Sequence, residues 1–109
     1  MHSIEALKLW HNVCLSAVQT KDVDLTNRQN AILLKVYLDN AAQTVGGLSK
    51  NLDISKSAVT RAVDKLEKEG FVKRKYKEND KRIVVLQRTV KGSVFLQEMG
   101  EMISKKIDF

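Results

Sequence analysis

The chain has 109 residues, 43% of them hydrophobic, so it can bury one core of modest size but not two independent ones. Its 19 Lys and Arg against 13 Asp and Glu leave a formal net charge of +6, which points to an anionic partner or surface. No apolar run approaches the roughly 18 residues a membrane span needs, Glu5 stands where a signal peptide would be basic, the single Cys14 leaves no internal disulfide, and no Cys/His cluster has zinc spacing.

These features predict a cytoplasmic protein without a metal, a cofactor or a membrane partner. Proline is absent and no low-complexity linker interrupts the chain, so a single domain over 1–109 is expected. The basicity belongs to one block. Residues 50–91 carry 13 Lys and Arg against 6 Asp and Glu, net +7, and the remainder sums to −1.

Residues 3–20 read as a helix with Ser3 as N-cap. Ile4, Leu7, Cys14, Leu15 and Val18 define one apolar face, and Leu9, Trp10, Val13 and Ala17 widen it past half the circumference. A helix apolar that far round must be covered on two sides, and a second subunit is the favoured cover. After a polar connection, Leu25 opens a second helix whose Thr26 and Gln29 form a capping box, with Ile32, Leu33, Val36 and Tyr37 as its buried stripe. Thr44 caps a short third helix through Leu52, which Gly46 and Gly47 weaken by roughly 1 kcal/mol each relative to Ala. Val45, Leu48 and Leu52 face inward.

Asp53 and Ile54 then link to a helix over Ser55 to Gly70, with Ser55 as N-cap and Gly70 suited to the left-handed residue that ends it. At 100° per residue, Val59, Ala62, Val63 and Leu66 fall on one stripe. Ser57, Arg61, Asp64 and Lys68 lie opposite, with Thr60 and Lys65 on the flanks. A helix that enters a DNA major groove needs small polar residues and cations near its N-terminus, and Ser57, Thr60 and Arg61 meet that description. A short helix, a tight turn and a second capped helix make a helix-turn-helix.

A strand over 71–76, a turn over 77–81 and a strand over 82–88 follow, a β-hairpin placed as a wing. Lys73, Arg74, Lys75, Lys77, Lys81, Arg82 and Arg88 load it with cations that neutralise phosphates, and an Arg at a wing tip can enter a narrow minor groove. Thr89 to Gly92 lead into a last helix over 93–107, where Phe95, Leu96, Met99, Met102, Ile103 and Ile107 again exceed one core contact. Packing of the two terminal helices across a two-fold axis would bury both surpluses. The predicted fold is mainly α, with five helices and a small β-hairpin: a winged helix-turn-helix whose DNA-binding core is 25–91, with 1–20 and 93–109 as dimerisation helices.

Over Leu25 to Gly92 the chain resembles bacterial MarR-type winged-helix transcriptional regulators. The likeness rests on ordered motifs: L-T-x-x-Q-x-x-I-L from Leu25, T-V-x-x-L-x-x-x-L from Thr44, S-K-S-A-V-T-R-x-V-D-x-L-E-x-x-G-x-V-x-R from Ser55 to Arg74, D-x-R at Asp80 and Arg82, and T-x-x-G at Thr89 and Gly92. The resemblance implies a homodimer on double-stranded DNA. It places Ser57, Thr60 and Arg61 against bases and Lys56 and Lys65, with Lys68 beside them, against phosphates. At the wing it places Lys81 and Arg82, with Asp80 holding the Arg82 side chain in the minor groove. It also implies a bacterial, nucleoid-associated repressor.

Three features depart from the family pattern, one of them Gly47 in place of a usual polar residue in the third helix. Only 17 residues follow Gly92 where the family has a longer helix and one more after it, so a slimmer dimer interface is expected. Arg88 replaces the apolar residue that closes the wing. Some relatives sense peroxide through a Cys on the first helix, which makes Cys14, three residues after His11, a candidate redox sensor. The sequence names no small-molecule effector. The alternative function is a winged-helix module for protein–protein contact or non-specific DNA organisation, which would lack the base discrimination expected of Ser57, Thr60 and Arg61. The sequence holds no acid/base dyad, oriented nucleophile or phosphate loop on which to build an enzyme. With only 6% aromatic residues it offers no stacking platform for RNA.

Overall fold

A computed structural model describes residues 2–20 and 23–107. Its elements run α1 (Ser3–Thr20), α2 (Asn27–Leu38), β1 (Gln43–Thr44), α3 (Val45–Leu52), α4 (Lys56–Lys68), β2 (Val72–Lys77), β3 (Asp80–Arg88) and α5 (Val90–Lys106). The five helices and the hairpin are those the sequence predicts. The chain divides into two compact units, Leu25–Ser93 on the one hand and Met1–Asp24 with Val94–Phe109 on the other. No helix among the described residues is long and apolar enough to cross a membrane.

The Leu25–Ser93 unit closes around the stripes read from periodicity. Ile32, Leu33 and Val36 of α2, Leu48 of α3, and Val59, Ala62, Val63 and Leu66 of α4 are all buried, together with Phe71, Val72 and Leu86 from the base of the hairpin. Each fully buried Val, Leu, Ile or Phe contributes about 1.5–3 kcal/mol of hydrophobic transfer free energy. This shared core is what fixes α4 against α2 and α3. The start of α2 is held by the expected capping box: the Gln29 N–H donates to Thr26 Oγ1 at 3.2 Å, and the Thr26 N–H donates to Gln29 Oε1 at 2.9 Å.

Four local readings change. The hairpin has a third partner, because Gln43 and Thr44 pair antiparallel with Leu86 and Val85, giving a sheet of order β1-β3-β2. Two residues are too few to show an alternation in sequence. The hairpin turn is Glu78 and Asn79 alone, since Lys77 already pairs with Asp80. The last helix starts at Val90 rather than Ser93, because Thr89 is its cap: Thr89 Oγ1 accepts from the Gly92 N–H at 2.9 Å. Ser3 lies inside α1, whose first turn closes from the Ala6 N–H onto the His2 carbonyl at 3.0 Å.

In the other unit, Val13 is buried and lines an apolar recess with Ala6, Leu9 and Trp10 of α1 and Ile103 of α5. Around the helix from this contact, Ile4, Leu7 and Val18 remain more than 60% exposed. The surplus apolar area of α1 therefore faces outward.

Candidate nucleic-acid interface

Helix α4 begins and ends on side-chain and backbone chemistry legible in the sequence. Ser55 Oγ accepts from the Ala58 N–H at 3.1 Å, satisfying one orphan donor of the first turn. At the other end the Gly70 N–H donates to the Glu67 carbonyl and the Phe71 N–H to the Leu66 carbonyl, both at 2.9 Å. That is a Schellman closure with Gly70 at φ 80°, a left-handed conformation that glycine adopts without Cβ strain. The turn into α4 has Asp53, also left-handed at φ 53°, and Ser49 Oγ donates to the Ile54 carbonyl at 2.6 Å. The helix-turn-helix corner is thus pinned from α3.

With Val59, Ala62, Val63 and Leu66 buried, the opposite face is open: Lys56, Ser57, Thr60, Arg61, Asp64 and Lys68 are exposed. Ser57 Oγ lies 3.1 Å from Ser55 Oγ, so its hydroxyl is oriented at the first turn. Among the described residues the Arg61 guanidinium makes no hydrogen bond or ion pair, and it lines an open cleft with Thr26 to Gln29, Ala58 and Ala62. Lys65 differs from the other cations. It is half-buried and its Nζ sits 3.0 Å from Glu69 Oε1, one turn along.

At the wing tip Tyr76 pairs with Val84 but Lys77 pairs with Asp80, so Lys81, Arg82 and Ile83 bulge out of the ladder between them. The Arg82 side chain is 91% exposed. Asp80 receives it on both carboxylate oxygens, from Nε at 3.1 Å and Nη2 at 3.2 Å, and also accepts the Arg82 backbone N–H at 3.1 Å. The Arg82 side chain, and next its backbone N–H, hold the Asp80 carboxyl below the usual carboxylate range. Lys73, Lys75, Lys77 and Lys81 are exposed along the same hairpin.

Two cations counted among the phosphate neutralisers do other work. Arg74 turns back onto α4 and is only 18% exposed: Nη1 lies 2.6 Å from Glu67 Oε1 and Nη2 2.5 Å from Asp64 Oδ1. The end of α2 takes Arg88, whose Nε donates to the Val36 carbonyl at 2.9 Å and Nη2 to the Asp39 carbonyl at 2.7 Å, with the guanidinium over the Tyr37 ring. Helix C-termini carry orphan carbonyls and a partial negative charge, which a guanidinium satisfies on both counts. The carboxylates at i−7 and i−10 from Arg74 were a usable signal, since they lie on neighbouring turns of α4. Arg88 had none, because its partners are about 50 residues away.

Outside this unit, His11 is exposed and Cys14 half-buried on α1. Among the described residues no group of His, Cys, Asp or Glu is arranged to hold a metal.

The sequence profile of the MarR family matches residues 25–84. Over 78 residues the chain is 32% identical to the uncharacterized HTH-type transcriptional regulator YybA of Bacillus subtilis, a stretch covering 72% of this chain and 51% of that protein. It is 28% identical over 111 residues to the similarly described YwhA of the same organism, covering 96% of this chain and 80% of that one. Over 52 residues it is 44% identical to the transcriptional repressor MprA of Escherichia coli K12, covering 48% of this chain and 30% of the repressor. The chain thus spans about half the length of the first of these relatives and less of MprA. Among solved structures, the transcriptional regulator Tm0710 of Thermotoga maritima superposes with a TM-score of 0.74 at 28% identity, over 94% of this chain and 72% of that one. The YusO protein of Bacillus subtilis gives a TM-score of 0.77 at 22% identity over the same shares.

Proposed function

The chain belongs to the MarR family of transcriptional regulators, and from that premise we propose that it binds double-stranded DNA sequence-specifically as a homodimer, with α4 in the major groove and the wing tip in the adjacent minor groove. One observation carries the reading. Helix α4 buries its apolar stripe completely and leaves Ser57, Thr60 and Arg61 exposed on its N-terminal half, where base edges are read. Lys56 and Lys68 flank that face as phosphate contacts, and Arg82, steered by Asp80, is the minor-groove contact. Lys65 joins them only when it exchanges Glu69 for a phosphate.

The exposed Ile4, Leu7 and Val18 of α1 supply the apolar surface for the homodimer through the terminal helices, a face too apolar for a helix left in water. Repression is the favoured mode of regulation, in line with the name of the related MprA repressor. Binding selection from a random duplex pool tests the proposal. It should return a two-fold symmetric site with half-sites about one helical turn apart, and Arg61→Ala should relax preference at one position per half-site. Equal loss on cognate and random duplexes would assign the protein to non-specific DNA organisation instead.

A further inference from the structure

We propose that Arg74 is a positioning residue for base recognition: by holding Asp64, it keeps that carboxylate away from Arg61 and from the DNA-facing surface of α4. The inference rests on the reading of Arg61 as a base contact. Asp64 lies on the exposed face of α4, three residues after Arg61 and four before Lys68, the spacings at which helix side chains meet. Its side chain is 60% exposed. A carboxylate so placed beside a DNA-reading arginine has two unfavourable effects. It competes with the base for the guanidinium, and it sets a negative charge against phosphates.

The structure resolves both through β2. Arg74 Nη2 takes Asp64 Oδ1 at 2.5 Å and donates also to the Thr60 carbonyl at 3.3 Å. Its Nη1 holds Glu67 Oε1 at 2.6 Å, and its backbone N–H holds Glu67 Oε2 at 3.0 Å. One guanidinium therefore spans α4 from Thr60 to Glu67, and two of its hydrogen-bond partners, Thr60 and Asp64, sit on or beside the base-reading face. The grip on Glu67 ties the wing to α4. The reach to Asp64 does something further, because it neutralises the one carboxylate on the exposed face of α4 that adjoins Arg61. Arg74 thus acts through Arg61 without touching DNA.

The test separates the tether from the positioning role by its dependence on Asp64. Full-length protein carrying Arg74→Gln, Asp64→Asn, both substitutions, or Arg61→Ala is titrated with the selected duplex, its single-base variants and a random duplex. Thermal unfolding by circular dichroism sets a common temperature at which every variant is folded. Arg74→Gln should lower the ratio of cognate to random affinity about fivefold or more, with the loss at the base position that Arg61→Ala relaxes. Adding Asp64→Asn to Arg74→Gln should restore most of that ratio. If Arg74→Gln weakens every duplex alike, or if the double variant discriminates no better than Arg74→Gln, Arg74 is only a tether and the proposal is overturned. If Arg61→Ala leaves the ratio unchanged, base reading by α4 fails, and this proposal falls with it.

Discussion

The hydroxyl of Tyr37 occupies the space that a Cβ on Gly92 would need, 2.0 Å from where that atom would stand. The hydroxyl is held there because Oη donates to the Phe71 carbonyl at 2.6 Å and accepts from the Thr89 N–H at 2.9 Å. Three segments of the Leu25–Ser93 unit therefore converge on one oxygen: α2, the residue before the wing, and the cap of α5. Thr89 Oγ1 adds a fourth tie by donating to the Gly70 carbonyl at 2.7 Å. The T-x-x-G motif is thus a cap and a clearance for one tyrosine.

Gly92→Ala should accordingly destabilise the protein by about 3 kcal/mol, the upper part of the range for overpacking, read as a shift in the denaturant midpoint at unchanged slope. Tyr37→Phe should cost about 1–3 kcal/mol, since it removes the hydroxyl that accepts from the Thr89 N–H and donates to the Phe71 carbonyl. It should not rescue Gly92→Ala. The Phe71 carbonyl oxygen is 2.4 Å from the same added Cβ, and a backbone oxygen cannot swing aside. A double variant as stable as Tyr37→Phe alone would show that the hydroxyl is the sole obstacle.

At the wing, Arg82→Ala should remove a preference for narrow, A·T-rich minor grooves flanking the major-groove site and leave discrimination within that site intact. Competition between duplexes that differ only in the flanks measures this. Asp80→Asn should give a weaker form of the same defect, because the amide keeps an acceptor for the Arg82 backbone N–H but loses the two-oxygen grip on its guanidinium. An Asp80→Asn variant with full flank preference would sink the orienting role.

Much of the unit around α4 was legible because its determinants are local. Ser55, Thr26 with Gln29, and Thr44 cap helices through residues three positions away, and the stripes of α2 and α4 repeat at the helical period, so pattern and structure coincide. What escaped was set by partners on other elements. Arg74 and Arg88 looked like their neighbours Lys73 and Lys75, yet they are held by two carboxylates of α4 and by two carbonyls at the end of α2. β1 is two residues whose strand character comes from β3, not from their own alternation. Helix α5 starts three residues before the expected Ser93 because Thr89 caps it, and Tyr37 requires the glycine at Gly92.

The cations of α4 should separate by salt dependence. Lys68 is exposed and free of ion pairs among the described residues, so Lys68→Ala should weaken all duplexes alike and reduce the slope of log affinity against log salt by about 1. Lys65→Ala should reduce it less, because in the unbound protein that ammonium is held by Glu69. Glu69→Gln should then strengthen binding and steepen the slope. Equal slopes for the Lys65 and Lys68 variants would mean that the ion pair with Glu69 does not compete with phosphate.

Glu67 provides a test in acid. Its carboxyl is held below the usual range first by the Arg74 backbone N–H and then by the Arg74 guanidinium, against an opposing effect of burial. A folded-state value below the unfolded one means that this stabilisation is fully present above the unfolded value of about 4.3 and is lost as pH falls through the lower folded value. A carboxyl titration followed by NMR from about pH 7 to 2 should therefore place the Glu67 midpoint below that reference. In Arg74→Gln the midpoint should move up only part of the way, because the backbone N–H remains and is the larger cause. Full return to the reference would assign the depression to the guanidinium alone. A midpoint unchanged by Arg74→Gln would mean that the wing is secured to α4 by main chain, with the arginine left to hold Asp64.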